Sequence, residues 1–323
     1  MNAAFPNSRI PGFETGDRFM SSAHAPRLKR ALMPYLELMR LERPVGTLLL
    51  LWPTLAALWL AADGLPPIGL IAVFTLGTLL MRSAGCVIND IADRRLDGHV
   101  ARTAGRPLAT GRISTGGAVC LFIVLVVLAG SLLLFLNPFT RWLAVAGLGI
   151  AAIYPLMKRW TYLPQVVLGA AFSWGLVMAY AAIQNNLPPT AWLLFIASMT
   201  WIVAYDTLYA MVDREDDLKI GIRSTAILFG QQDRLMIGLL QVTTLVALFL
   251  FAEQAGARGG LQLGIAVAAG LFAYQQYLIR KRDPDACFHA FRNNVWVGFA
   301  LFAGAVVEVN LLPMLGSAFG ATG

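Results

Sequence analysis

Residues 67–97 read PIGLIAVFTLGTLLMRSAGCVINDIADRRLD, and this stretch decides the fold class. Its first part, 67–88, is apolar except for a few small residues and Arg82. Crossing a hydrocarbon core as a helix takes roughly 20 such residues. Its last part, Asn89-Asp90-Ile91-Ala92-Asp93-Arg94-Arg95-Leu96-Asp97, turns abruptly to carboxylates and arginines. The stretch therefore reads as a membrane helix arriving at water. Eight further apolar stretches of similar length fall near 45–62, 118–136, 141–157, 163–184, 190–211, 235–252, 259–279 and 294–313. The composition agrees. Of 323 residues, 58% are hydrophobic and only 13% charged, against about 25% charged in a soluble domain. That excludes a cytosolic enzyme, a secreted disulfide scaffold and a disordered chain. Cys86, Cys120 and Cys287 are widely spaced and form neither a disulfide framework nor a zinc pattern. The expected fold is all-α: a polytopic membrane protein with nine transmembrane helices around a central cavity.

The connections alternate. Those near 63–66, 137–140, 185–189 and 253–258 are short; those near 89–117, 212–234 and 280–293 are long and charged. Lys and Arg follow the same alternation. Twenty-three lie on the side of the N-terminus and the long loops, and only Arg141 and Arg258 lie opposite. The positive-inside rule then places the N-terminus and the long loops in the cytoplasm. The net charge of +7 is thus a topology signal and requires no nucleic acid. Residues 1–29 are polar, lack an apolar core segment and carry Glu14 and Asp17. They are expected to form a mobile cytoplasmic tail, neither a secretory signal nor a mitochondrial presequence. Residues 30–323 are expected to form a single transmembrane domain.

Eight of the 18 acids fall in two segments, each at the cytoplasmic end of a span. In the first, Asn89, Asp93 and Asp97 are spaced i, i+4, i+8, which on a helix puts three oxygen ligands on one face. Asp90 is off that face by one position. In the second, Asp213 and Asp217 repeat the i, i+4 spacing, and Asp206 and Tyr209 extend the face backwards. Like charges so spaced repel, more strongly near a membrane. A cation must offset them, and Mg²⁺ fits, because it takes oxygen ligands and is commonly held by a carboxylate or two together with substrate phosphates. Two acid faces suggest two ions clamping one diphosphate. The alternative is a salt-bridge network with Arg94, Arg95 and Arg214. Basic residues echo the duplication: Arg102 and Arg106 follow the first motif, Lys219 and Arg223 the second.

Arg82 lies two turns deeper than Asn89, inside a span, where an ionisable residue is a functional candidate. Its planar fork suits a carboxylate; a structural ion pair is the alternative. Tyr154 and Lys158, at i and i+4, could face a diphosphate, with Arg159 beside them; membrane anchoring is the alternative for both basic residues. Arg40 and Arg43 read as juxtamembrane anchors. His24, His99 and His289 show no ligand spacing, and no nucleophile triad or Walker-type loop is present.

Asn89-x3-Asp93-x3-Asp97, Tyr154-x3-Lys158 and Asp213-x3-Asp217, in that order on such a chain, resemble the UbiA superfamily of intramembrane prenyltransferases. Longer strings resemble the branch acting on 4-hydroxybenzoate in ubiquinone synthesis: Leu50-Leu51-Trp52-Pro53-Thr54, the run 85–98, Arg106-Pro107-Leu108, the run 205–213 and the run 219–225. The resemblance covers about 32–313. It implies Mg²⁺-dependent transfer of a polyprenyl group from its diphosphate to the ring carbon ortho to the hydroxyl of 4-hydroxybenzoate. It implies metal ligation by Asn89, Asp93, Asp97, Asp213 and Asp217, with the four aspartates as the catalytic set. Substrate binding would fall to Arg82, Arg102, Tyr154, Lys158, Arg159, Tyr209 and Lys219. The implied setting is a bacterial inner membrane with the site on the cytoplasmic face, membrane lipid around it, and no obligate protein partner. Naphthoate, homogentisate and haem are the alternative acceptors. An ion transporter is the alternative class, but transporters place such groups near the bilayer midplane.

Overall fold

The computed structural model describes residues 27–95, 97–99 and 102–314, with the side chains of 27–30, 99 and 158 left out. The predicted tail therefore lies outside the described residues, apart from the backbone of 27–29. Twelve α-helices run through the described residues: α1 Arg27–Leu38, α2 Val45–Ala62, α3 Ile68–Asp93, α4 Thr115–Leu132, α5 Pro138–Trp160, α6 Pro164–Gln184, α7 Pro189–Val212, α8 Arg214–Ile220, α9 Thr225–Phe229, α10 Asp233–Gln254, α11 Gly260–Leu278 and α12 Pro284–Val306. No strand occurs among them.

Every predicted span coincides with a long helix, but the count of nine crossings is not confirmed. Eight helices are long and apolar enough to cross a membrane. The exception is α11, which carries Gln262, Gln275 and Gln276. Its glutamines face protein. Gln241 of α10 donates to Gln275 at 2.9 Å, Gln275 donates to Asn293 of α12 at 3.0 Å, and Gln276 donates to Gln241 at 3.0 Å. Amides paired in this way lose the cost of leaving water. Nearer its start α11 presses on α12: a Cβ at Gly264 would come within 2.8 Å of the Ala300 carbonyl, so only glycine permits this approach.

Helix α12 starts ten residues before the predicted apolar span, because Asp285, His289 and Arg292 hide its first turns from hydropathy. Asp283 caps it, accepting from the Ala286 amide at 2.9 Å, and Pro284 occupies its first turn. Helix α7 is the centre of the bundle, with 61% of its spanning window buried against 11% for α4 and for α5. It packs on α6, α10 and α12; α2 lies against α6 and α12, and α3 against α4. Helices α4 and α5 thus form the lipid-facing rim. The ends of α3, α5 and α7 and the start of α6 meet on one side of the bundle, where the long loops gather.

Candidate active site

Neither acid motif is carried on one uninterrupted helix. The helix α3 ends at Asp93, and Asp97 opens a short 3-10 turn, Asp97–His99. Helix α7 ends at Val212; Asp213 (φ −96°, ψ 2°) forms the break before the seven-residue α8. A helical turn is kept across that break, since the Asp217 amide donates to the Asp213 carbonyl at 2.9 Å. The predicted i, i+4, i+8 face is thus replaced by two kinked ends. Both kinks turn toward a single polar cleft of about 150 Å³.

Asn89, Asp93, Asp97, Asp206, Asp213 and Asp217 all line this cleft, with Arg102, Tyr154 and Tyr209. Arginines from the first long loop hold two of the acids. Arg102 donates from Nε to Asp213 Oδ1 at 2.9 Å and lies 4.5 Å over the Tyr209 ring. Arg106 donates to Asp97 at 2.9 Å and also reaches Asp90 at 3.0 Å. Asp90 is buried, and Arg40 grips it at 2.8 Å. It is not among the residues that line the cleft. Arg40 is therefore more than an anchor, while Arg43 pairs only with the exposed Glu42. The alternative partners fall elsewhere: Arg94 bonds the Ile91 carbonyl and Arg214 bonds Asp233.

Burial raises the Asp97 carboxyl above the usual range; Asp90 and Asp93 push the same way, and Arg106 opposes them. The cleft is lined by five aspartates against three arginines, a surplus of negative charge that a cation would relieve. Among the described residues no three acids, histidines or cysteines form a closed metal cage. Mg²⁺ does not require one, since substrate phosphates and water complete its shell. The Asn89 Oδ1 atom is buried without a hydrogen-bond partner, as a ligand oxygen awaiting an ion would be. The donor set fits the predicted metal.

Several predicted substrate residues sit elsewhere. Lys219 is exposed and pairs with Asp216 at 3.1 Å, because α8 turns it to the outer face. Arg159 is exposed and donates to the Ala92 carbonyl at 2.9 Å, tying α5 to the end of α3. The Lys158 side chain lies outside the described residues. Arg82 does not line the cleft. It packs against Gly46, which leaves room for it, and bonds the Cys86 sulfur, while its buried Nε has no partner. The cleft also includes Thr103, Arg106, Gln165, Arg223 and Ser224, none counted among the predicted site residues. Arg106 and Arg223 were visible in the basic echo. Gln165 had no sequence signal; it lines the site because its Oε1 accepts the Thr225 amide at 3.0 Å and pins the start of α9.

The UbiA prenyltransferase family model matches residues 50–306, which include every carboxylate of the cleft. The chain belongs to this family. It is a multi-pass membrane enzyme of the prenyltransferase class. It is 56% identical over 281 residues to a 4-hydroxybenzoate octaprenyltransferase from Saccharophagus degradans, covering 87% of this chain and 94% of that protein. It is 54% identical over 285 residues to the protein of that name from Pseudomonas aeruginosa, covering 88% and 96%. Solved UbiA homologues share the fold. One from Aeropyrum pernix K1 superposes with a TM-score of 0.72 at 22% identity, over 81% of this chain and 97% of that one. One from Archaeoglobus fulgidus, bound to GPP and Mg²⁺, gives 0.62 at 19% identity, over 83% and 99%.

Proposed function

We propose that this chain is a Mg²⁺-dependent 4-hydroxybenzoate polyprenyltransferase of ubiquinone biosynthesis, with its cleft on the cytoplasmic face of a bacterial inner membrane. The observation that carries the reading is the meeting of both acid motifs with Arg102, Arg106 and Arg223 in one cleft. Acids alone would suit a metal and arginines alone an anion; together they suit a metal-bound diphosphate. The names of the relatives supply the acceptor.

Asn89, Asp93, Asp97, Asp213 and Asp217 would hold two Mg²⁺ ions. Bound there, the ions neutralise the charge that builds on the leaving diphosphate. Arg102, Arg106 and Arg223 line the same wall and receive the remaining phosphate oxygens. Tyr154 lines the cleft with them, and Lys158 is assigned to the diphosphate on its i+4 spacing from Tyr154 in the sequence. Arg82, on α3 two turns before Asn89, is assigned to orienting the aromatic carboxylate. The bond between the prenyl C1 and the diphosphate oxygen breaks, and the oxygen keeps the electron pair. The ring carbon ortho to the hydroxyl attacks the allylic cation, forming the new carbon–carbon bond. Its proton then passes to a cleft carboxylate or to the released diphosphate. The apolar helices around the cleft exclude the water that would quench the cation.

The test is a membrane assay with labelled 4-hydroxybenzoate and a polyprenyl diphosphate, with and without Mg²⁺. Mg²⁺-dependent label in the lipid phase is expected. Label that appears only with naphthoate or homogentisate would move the acceptor and keep the reaction class. No product from any acceptor, in membranes holding intact protein, would overturn the reading.

A further inference from the structure

The segment that carries Asp213 and Asp217 is held by polar ties and not by burial. Helix α8 is seven residues long and buries none of them. An isolated helix of that length is unstable in water, so apolar packing does not place it. Its first residue, Arg214, is anchored instead. Arg214 donates from Nη1 to Asp233 Oδ2 at 3.0 Å. Asp233 is fully buried at the start of α10. Arg282, in the turn between α11 and α12, donates from Nε to both oxygens of Asp233, at 2.9 and 3.1 Å, and from Nη2 to the Gln231 carbonyl at 2.7 Å. The amide of Arg234 adds a third donor to the carboxylate, at 2.7 Å from Oδ1. One buried carboxylate thus ties α8, α10 and the α11–α12 turn at a single point, one residue beyond Asp213.

We propose that Asp233 and Arg282 are positioning residues that set Asp213 and Asp217 through Arg214. The clamp lies outside the cleft, since none of its three residues lines it. A single arginine would suffice to neutralise the buried carboxylate. The second arginine, contributed by the α8 start, explains how an otherwise unburied helix keeps a fixed place. The inference rests on the reading of the cleft as a metal–diphosphate site, and it assigns to the last three helices a part in forming that site.

Arg214→Gln is the decisive variant, because it removes the α8 arm and leaves the Asp233–Arg282 pair intact. Three readouts on the purified full chain decide it. Hydrogen exchange of amides 214–220 is expected to quicken about tenfold, with α10 unchanged, when a charge-assisted bond is lost. Mn²⁺ affinity, read by electron paramagnetic resonance, is expected to weaken by a similar factor. The KM for prenyl diphosphate is expected to rise while that for the aromatic acid holds, and Arg214→Lys is expected to restore part of each. Wild-type exchange over 214–220 in Arg214→Gln would overturn the clamp. So would a uniform rise in exchange across all helices, which marks a general loss of stability. If the wild-type chain binds no Mn²⁺, the metal reading fails, and the exchange arm still decides the clamp.

Discussion

The two acid motifs share a spacing and differ in how they are held. The first grows from α3, a helix of 26 residues, and its Asp90, Asp93 and Asp97 are all buried. Arg40 and Arg106 grip it from flanking segments. The second sits on a break and a short helix with no buried residue, held by Arg102 above and by the Arg214–Asp233 pair behind. Equal chemistry does not require equal anchoring. A motif rooted in a long apolar helix inherits its position from packing, whereas a motif beyond a helix end needs polar ties.

The largest effects should treat the motifs alike. Asp93→Ala and Asp213→Ala are each expected to lower turnover by about 10²–10³-fold, the scale of losing one charge-stabilising group. The membrane assay, normalised to inserted protein, checks this; a wild-type rate in either variant removes that residue from the metal set. The contrast in anchoring should appear next. Asp90→Ala strands Arg40 and part of Arg106, at an expected cost of about 3 kcal/mol in stability, as for a broken buried pair. Asp217→Ala should cost under about 0.5 kcal/mol while still lowering activity. Thermal unfolding in detergent compares them, and equal shifts would erase the distinction. Basic residues on the two motif helices should differ as well. Arg82→Ala, deep on α3, is expected to raise the KM for the aromatic acid about 10–100-fold by removing a charge-assisted pair. If the prenyl diphosphate KM rises instead, Arg82 belongs to the other substrate. Lys219→Ala, at the exposed end of α8, is expected to change rate and stability by no more than about twofold, since solvent screens its pair with Asp216.

Much of this was legible before any coordinates. All nine apolar stretches became long helices, because burial in hydrocarbon or protein selects for apolar runs of that length. The acids of both motifs reached one cleft, because a carboxylate in a membrane domain is costly unless cationic groups face it. The placements that the sequence did not show share a cause. Lys219 and Arg159 followed a one-dimensional pattern, but the break at Asp213 and the end of α3 turned them outward or against backbone. The polar character of α11 is compensated only through Gln241 and Asn293, which lie far from it in sequence.

By itself the sequence determined the class of molecule, the place of its spans, the side on which charge collects and the donor atoms available for a metal. These follow from local quantities: hydropathy, spacing and residue type. Tertiary structure alone decided which cation faces which acid. Arg102 meets Asp213 across 111 positions and Arg40 meets Asp90 across 50. Such pairings depend on where helix ends come together, and that is set by the packing of the whole bundle around α7.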